Sequence, residues 1–439
     1  MKKINIFISS LILAFSFASC DNFLDIEPEG KVIPKTQDEF RALLTQGYVA
    51  YPSHKSLIAL RTDETVLQSD NYDFMDLRDI FIWKDQGQDK QTTEFPWLAF
   101  YTSVFYANHT IIDGTEVLPA SVDKDQLIGE AYALRAYAFF DLVNLYGKPY
   151  NSTTASTELS IPLALEIDLE NVLQPESIQT VYNQIQSDLD KAKALLQVDV
   201  QESGYNYRFS KAAIYALEAR VNLYQQQWQD AINSSSQALA YKHTLEDLNN
   251  SELVPSHFQS KESILALENT MTSSLKNSTV ISDELTLTYD KDHDLRFVKY
   301  YEKSGPNYKV IKVGNLENKT SIRTAELYFI KAEAHARLNQ IQQAVSSIEP
   351  IINTRYSADV ASQILLTITQ LNQEDFIDFL LEERFREFSF EGHRWFDLRR
   401  VDQKKIIHSI NGTEYILQHN DPRYTLPYPT NARLNNPNL

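Results

Sequence analysis

Over most of the chain, apolar residues recur at intervals of three and four, the spacing that lays a stripe along one side of an α-helix. The clearest run is Asp125 to Tyr146. Ile128, Ala131, Arg135, Ala138, Leu142 and Leu145 share one of its faces, and Gly147 and Pro149 stop it. Ser177 to Leu196 repeats the pattern, with Val181, Ile185, Leu189 and Leu196 inward and Asp188, Asp190, Lys191 and Lys193 outward. A helix starting at Thr36 holds Asp38 and Glu39 in its first turn and Phe40, Leu43 and Leu44 on its inner side. Another begins at Trp97 and Tyr101 and runs through Phe105, Asn108 and Ile112.

Two further segments are paired helices of a repeat kind. Ser210 caps a helix rich in Ala212, Ala213, Ala216 and Ala219, followed by Trp228, Ala231, Ile232, Ala238 and Leu239. Small and large residues alternate there as in the two antiparallel helices of a tetratricopeptide repeat. A second copy runs through Ala332, Ile341, Ala344, Val345, Ile348 and Ile352. Copies this far apart predict helical hairpins interrupted by an insertion, not a tandem array.

Two stretches break the pattern. Between Asp63 and Pro96 the helical period gives way to a long loop with Tyr72, Phe74, Phe81, Trp83 and Phe95; a connection of this length suggests a binding role. Ile80 and Ile82 alternate there with Phe81 and Trp83, which predicts a short strand turning the aromatic rings away from the core. The insertion, residues 243–319, has β-like runs at 263–268, 285–289 and 308–313. The fold class is therefore mainly α, with repeat-like hairpins forming a right-handed superhelical scaffold and an irregular loop-rich lobe with a few short strands.

The most informative stretch is 380–400, LLEERFREFSFEGHRWFDLRR. In a helix from Asp375 to Phe388, Glu383 and Glu387 fall in the middle of the apolar side made by Phe376, Phe379 and Leu380. Buried carboxylates require partners, so Arg384, Arg386 and Arg394, Arg135 from the 125–146 helix, or arginines from elsewhere in the chain should close on them as an ion network. Ile322, Glu326, Ile330, Glu333 and Arg337 repeat the device. The competing reading is a retaining glycosidase, because residues one turn apart lie about 5–6 Å apart at Cβ, near the carboxyl spacing of such enzymes. A structural clamp is favoured, since catalytic carboxylates face each other across an open cleft and these two share one helix face crowded with arginines.

Composition narrows the function. Forty-one basic and fifty-nine acidic residues give a net charge of -18, which excludes a nucleic-acid partner held by charge. Cys20 is the only cysteine. Lys2, Lys3 and an apolar run from Ile4 to Phe17 lead to it as a signal peptide of residues 1–19, with a lipid-accepting Cys20 and a polar tether over residues 20–36. No Gly-rich phosphate loop, His-Glu-x-x-His or Gly-x-Ser-x-Gly motif occurs, so no cofactor, metal or catalytic residue is expected. Asp290, Asp292 and Asp294 alternate like a calcium loop, but Leu295 holds the glycine position and no glutamate closes it.

ERFREFSFEGHRWFDLRR resembles the C-terminal signature of the SusD/RagB family of Bacteroidetes outer-membrane lipoproteins. EAYALRAYAFFDLVNLYGKPY, SIRTAELYFIKAEAHARL and the closing Leu426-Pro427-Tyr428-Pro429 are similar to segments of the same family, in the same order. The resemblance implies an N-terminal SusD-like region over residues 37–242 and a C-terminal SusD/RagB region over 243–439. It also implies a non-enzymatic lipoprotein on the outer face of the outer membrane. Such a protein captures an oligosaccharide, or less commonly a peptide, and passes it to a SusC-like TonB-dependent transporter. A sugar site needs exposed aromatic platforms with polar rims. Trp83, Tyr72 and Phe74 in the first loop, and Tyr289, Tyr300 and Tyr301 in the insertion, are the candidates because they lie off the periodic helices. Trp97, Trp228 and Trp395 are assigned to packing.

Overall fold

Helix α1 (Gln37–Ala50) begins where Thr36 and Glu39 satisfy each other's backbone amides in a capping box, and it buries Phe40, Leu44 and Tyr48. The computed structural model describes residues 34–439 apart from 169 and 170; the leader and Cys20 lie outside the described residues. Two short elements follow, α2 (Lys55–Ala59) and α3 (Phe74–Phe81). Helices α4 (Leu98–Val117), α5 (Val122–Tyr146) and α6 (Ile178–Leu195) then form the centre of the body. The spacing predicts one inward face for α5. In the structure nearly every side chain from Gln126 to Tyr146 is buried, because α1, α4 and α6 all pack on this one helix.

Ser177 and Ser210 cap α6 and α7 (Lys211–Tyr224) by accepting backbone N–H bonds. Helix α7 folds against α8 (Trp228–Tyr241) as the first repeat-like hairpin. After the insertion comes the second hairpin, α12 (Thr324–Arg337) with α13 (Ile341–Arg355). Helix α12 packs directly on α8, so the two hairpins that are distant in sequence are neighbours in space. Helices α14 (Ala358–Ile368), α15 (Gln373–Phe388) and α16 (Arg394–Val401) continue from them. Among the described residues no helix is long and apolar enough to cross a membrane.

The intervening lobe contains α9 (Ser273–Ser278), α10 (Asp283–Leu287), α11 (Leu295–Tyr300) and short two-stranded ribbons. Strand β1 (Thr65–Leu67) pairs antiparallel with β5 (Thr279–Ile281), which fastens the first loop to the insertion, while β2 (Leu159–Pro162) pairs with β3 (Pro175–Ser177) and β4 (Ser263–Leu265) with β8 (Ile322–Arg323). The hairpin of β6 (Tyr301–Ser304) and β7 (Asn307–Val310) stands beside it.

Two local expectations are corrected. Ile80 to Trp83 is not a strand but the end of α3 and its exit, with Trp83 at φ 54°. The run at 285–289 is mostly α10, because Ser282 accepts the Leu285 amide and nucleates a helix.

Candidate functional site

Helix α15 carries Glu383 and Glu387 into the interior, where both are wholly buried. Glu383 accepts from Arg386 Nη2 at 2.7 Å, Arg296 Nη2 at 2.8 Å and the Tyr356 hydroxyl at 2.6 Å. Glu387 accepts from Arg323 Nη1 at 2.7 Å and from Arg355 at 2.9–3.1 Å. Around them Glu262 and Glu391 also hold Arg323, Glu262 holds Arg355, Lys312 reaches Glu391, and Asp294 holds Arg296. The web balances Asp294, Glu262, Glu383, Glu387 and Glu391 against Arg296, Arg323, Arg355, Arg386 and Lys312. Burial alone pushes both α15 carboxyls up. Arg386 and Arg296 pull Glu383 down to about 2, and Arg355 and Arg323 hold Glu387 well below the usual range. Two carboxylates kept ionised cannot supply the protonated acid that glycoside cleavage requires.

The web's partners are not all those expected. Arg386 joins Glu383, but Arg384 pairs with Asp397 and Arg394 with Asp63. Arg135 binds Asp188 at 2.7 and 2.8 Å and Asn108 at 2.8 Å instead of the α15 carboxylates. In the other stripe Glu326 takes Arg220 and Glu333 takes Arg400.

Four expected platforms are buried. Trp83 is 1% exposed, stacks on His408 at 4.1 Å and donates its indole N–H to Arg61 O. Tyr300 lies under the Lys312 ammonium at 4.1 Å, Tyr289 donates to Arg386 O, and Tyr301 shares a hydrogen bond with Ser389. These rings wall the web and present no face to solvent. Phe74 is half-buried at the start of α3.

Tyr72 differs, being 98% exposed on a loop that is firmly fixed. Asn71 accepts from Ser278 Oγ at 2.7 Å and from the Asp73 amide, while Asp73 takes the Ser274 hydroxyl. The Asn277 carbonyl accepts from Asn71 Nδ2 at 3.3 Å and Lys309 Nζ at 3.4 Å, joining this loop through α9 to strand β7. On β7, half-buried Tyr308 packs edge-on to Phe297 at 4.9 Å under the Lys291 ammonium. The result is a pinned loop that presents the Tyr72 ring beside amide, hydroxyl, carboxylate and ammonium groups, the pairing of flat apolar area and polar rim that sugars need.

Metal-type ligands converge once among the described residues, at buried His54, Asp141 and Glu268. Those carboxylates already accept from Tyr51, Tyr137 and Lys55, which fits a structural cluster. In the would-be calcium segment, Asp294 is committed to Arg296 and Asp290 to His293.

Comparison with known proteins places these features in context. Residues 22–223 match a SusD-like family model described as starch-binding and associating with the outer membrane, and residues 221–439 match the model of the SusD family. SusD-like protein P38 of Formosa agariphila is 25% identical, with 94% of this chain and 95% of that protein covered. A SusD superfamily protein from Bacteroides thetaiotaomicron superposes with a TM-score of 0.77 at 19% identity, covering 92% of this chain and 98% of that one. A laminarin-binding SusD-like protein superposes with a TM-score of 0.62 at 19% identity, covering 84% and 92%.

Proposed function

The chain belongs to the SusD/RagB family, and from that premise we propose that it is a cell-surface glycan receptor whose primary platform is the Tyr72 face. In this reading Cys20 carries the lipid that holds the protein on the outer membrane, facing outward. The protein captures an oligosaccharide there and passes it to a SusC-like TonB-dependent transporter, making no catalytic contribution of its own. The helical-repeat side meets the transporter, since stacked helices offer an extended surface for a protein partner.

One observation carries the reading. Tyr72 is almost fully exposed, yet side-chain bonds from Asn71, Asp73, Ser274 and Ser278 pin its loop. A large ring held rigidly in water loses little freedom when a ligand stacks on it. That a neighbour of the same fold binds laminarin supports a glycan as cargo.

Isothermal titration of the mature, unacylated protein against neutral and acidic oligosaccharides and peptide digests tests this. Tyr72→Ala should weaken glycan binding at least tenfold while the melting temperature stays unchanged. Saturable binding to peptides alone would move the cargo to peptides, the second reading. Binding of glycans that is indifferent to Tyr72→Ala would refute the platform.

A further inference from the structure

One concave surface shares no residue with the Tyr72 loop. Helix α4 starts at Leu98, and the segment Glu94 to Tyr101 forms one wall of an open cleft of about 490 Å³. The other wall is α17 (Thr430–Asn435), and the volume lies in the range of small-molecule sites.

The walls are rigid and chemically sorted. Trp97 is gripped edge-on by Tyr146 at 4.8 Å and by Tyr428 at 5.5 Å, and Tyr101 lies tilted against it at 5.1 Å. The Tyr101 hydroxyl donates to Pro162 O at 2.9 Å, and the Tyr428 hydroxyl donates to Ser160 O. Three aromatic rings therefore hold the Trp97 indole, yet it is only part-buried and lines the cleft. Beside it Leu98 is 76% exposed, an apolar side chain that the other described residues leave uncovered.

Opposite these, Asn431 and Asn435 stand one turn apart on α17, both exposed. Asn435 Nδ2 donates to Asn431 O at 2.9 Å, and Asn431 Nδ2 reaches Glu94 Oε2 at 3.4 Å. Each amide thus keeps its side-chain carbonyl for another donor. Among the described residues Glu94 is the one charged side chain lining the cleft, and none of them brings a cation to it. A phosphate, sulfate or uronate has no counter-charge there. A flat apolar face with hydroxyls around its edge satisfies both walls at once.

We propose that this cleft is a second glycan-binding site, taking one or two neutral sugar units of a chain across Trp97 and Leu98, with Asn431 and Asn435 receiving and giving hydrogen bonds at the rim. The proposal rests on the reading of the protein as a glycan receptor. A polysaccharide long enough to span both sites would be held at two points, so that dissociation from one leaves it tethered at high local concentration.

The test is titration of the mature protein with maltohexaose and laminarihexaose, in wild type, Tyr72→Ala, Ala432→Trp and Asn431→Ala/Asn435→Ala. Ala432 is half-buried on the same short helix, so an indole there fills the cleft without entering the core. Melting temperatures should match wild type. The expected result is about two sites per chain in wild type, about one in either Tyr72→Ala or Ala432→Trp, and at least tenfold weaker cleft binding in the double asparagine variant. One site, abolished by Tyr72→Ala and indifferent to Ala432→Trp, would overturn the cleft and leave the receptor reading standing. No glycan binding in any form would overturn both.

Discussion

Replacing Glu387 by glutamine tests the clamp directly. The side chain keeps its shape and loses its charge, leaving Arg323 and Arg355 with one acceptor fewer at 2.7–3.1 Å and the buried web with five cations against four anions. Removing one partner from a buried ion pair costs about 3–5 kcal/mol, because the remaining charge is stranded without water. The folded unit spans roughly 400 residues. At about 2.1 cal/mol/K of unfolding entropy per residue, the melting temperature should fall by about 4–6 °C. Glu382 is the internal control, as it sits on the same helix with its side chain 55% exposed. Glu382→Gln should cost less than about 1 kcal/mol and shift melting by about 1 °C. Differential scanning calorimetry at pH 7 resolves the two. If Glu387→Gln melts within 1 °C of wild type, the web is not what stabilises this region. If it does so while abolishing cleavage of a glycan that wild type cleaves, the glycosidase reading replaces the clamp.

Other sites give sharper chemical readouts. Burial raises the Glu64 carboxyl to about 7, with the Phe390 amide and the Thr62 hydroxyl as its donors. The folded chain therefore holds a proton that the unfolded chain releases near pH 4.3, so wild type should lose up to about 3 kcal/mol as pH rises from 4.5 to 7. Glu64→Gln should remove that loss, and denaturant titrations giving the same change in unfolding free energy between pH 5 and 8 for both proteins would refute it. Gly392 has φ +83°, and a Cβ there would lie 2.5 Å from Lys55 Cγ. Gly392→Ala should therefore cost at least about 2 kcal/mol, read as a lower denaturation midpoint. Arg135→Met strands fully buried Asp188 and should cost about 3–5 kcal/mol, whereas Arg135→Met with Asp188→Leu should recover most of it; no recovery would mean that the arginine acts through packing alone.

The helices were readable because a stripe needs only local spacing, and Glu383 and Glu387 were readable as buried because they sit inside such a stripe. Their partners were not, since Arg296, Arg323 and Arg355 come from 32 to 91 residues away and helical periodicity says nothing about which distant guanidinium arrives. Arg135 showed the same limit: its face was correct and its counter-ion, Asp188, stood on a face assigned to solvent. Trp83 failed for a local reason. The alternation Ile80 to Trp83 imitates a strand, but the left-handed turn at Trp83 swings the indole back under the chain onto His408. The hairpin β9 (Ile406–Ile410) and β10 (Thr413–Leu417) does carry a local signal, since Asn411-Gly412 between two alternating runs is a strong turn former. At the surface, Tyr72 was identifiable as lying off the helices, whereas its pairing with β7 depended on a carbonyl on α9 that no pattern announces.

The charge web also governs how the chain can come apart. Its members run from Glu262 to Glu391, and the segment from Lys55 to Glu64 docks beside it through Lys55 to Glu268, Glu64 to the Phe390 amide and Asp63 to Arg394. A half-opened molecule would expose some ions and strand others in a dry interior, so intermediates are costly and opening should proceed all at once. A protease in the surroundings would then meet either a closed body or a fully extended chain. Cutting the gene near residue 222, where the two family segments meet, would leave the web on one piece but split α7 and part Lys55 from Glu268, Asp63 from Arg394 and Arg220 from Glu326, so each piece should be less stable alone than when the two are mixed.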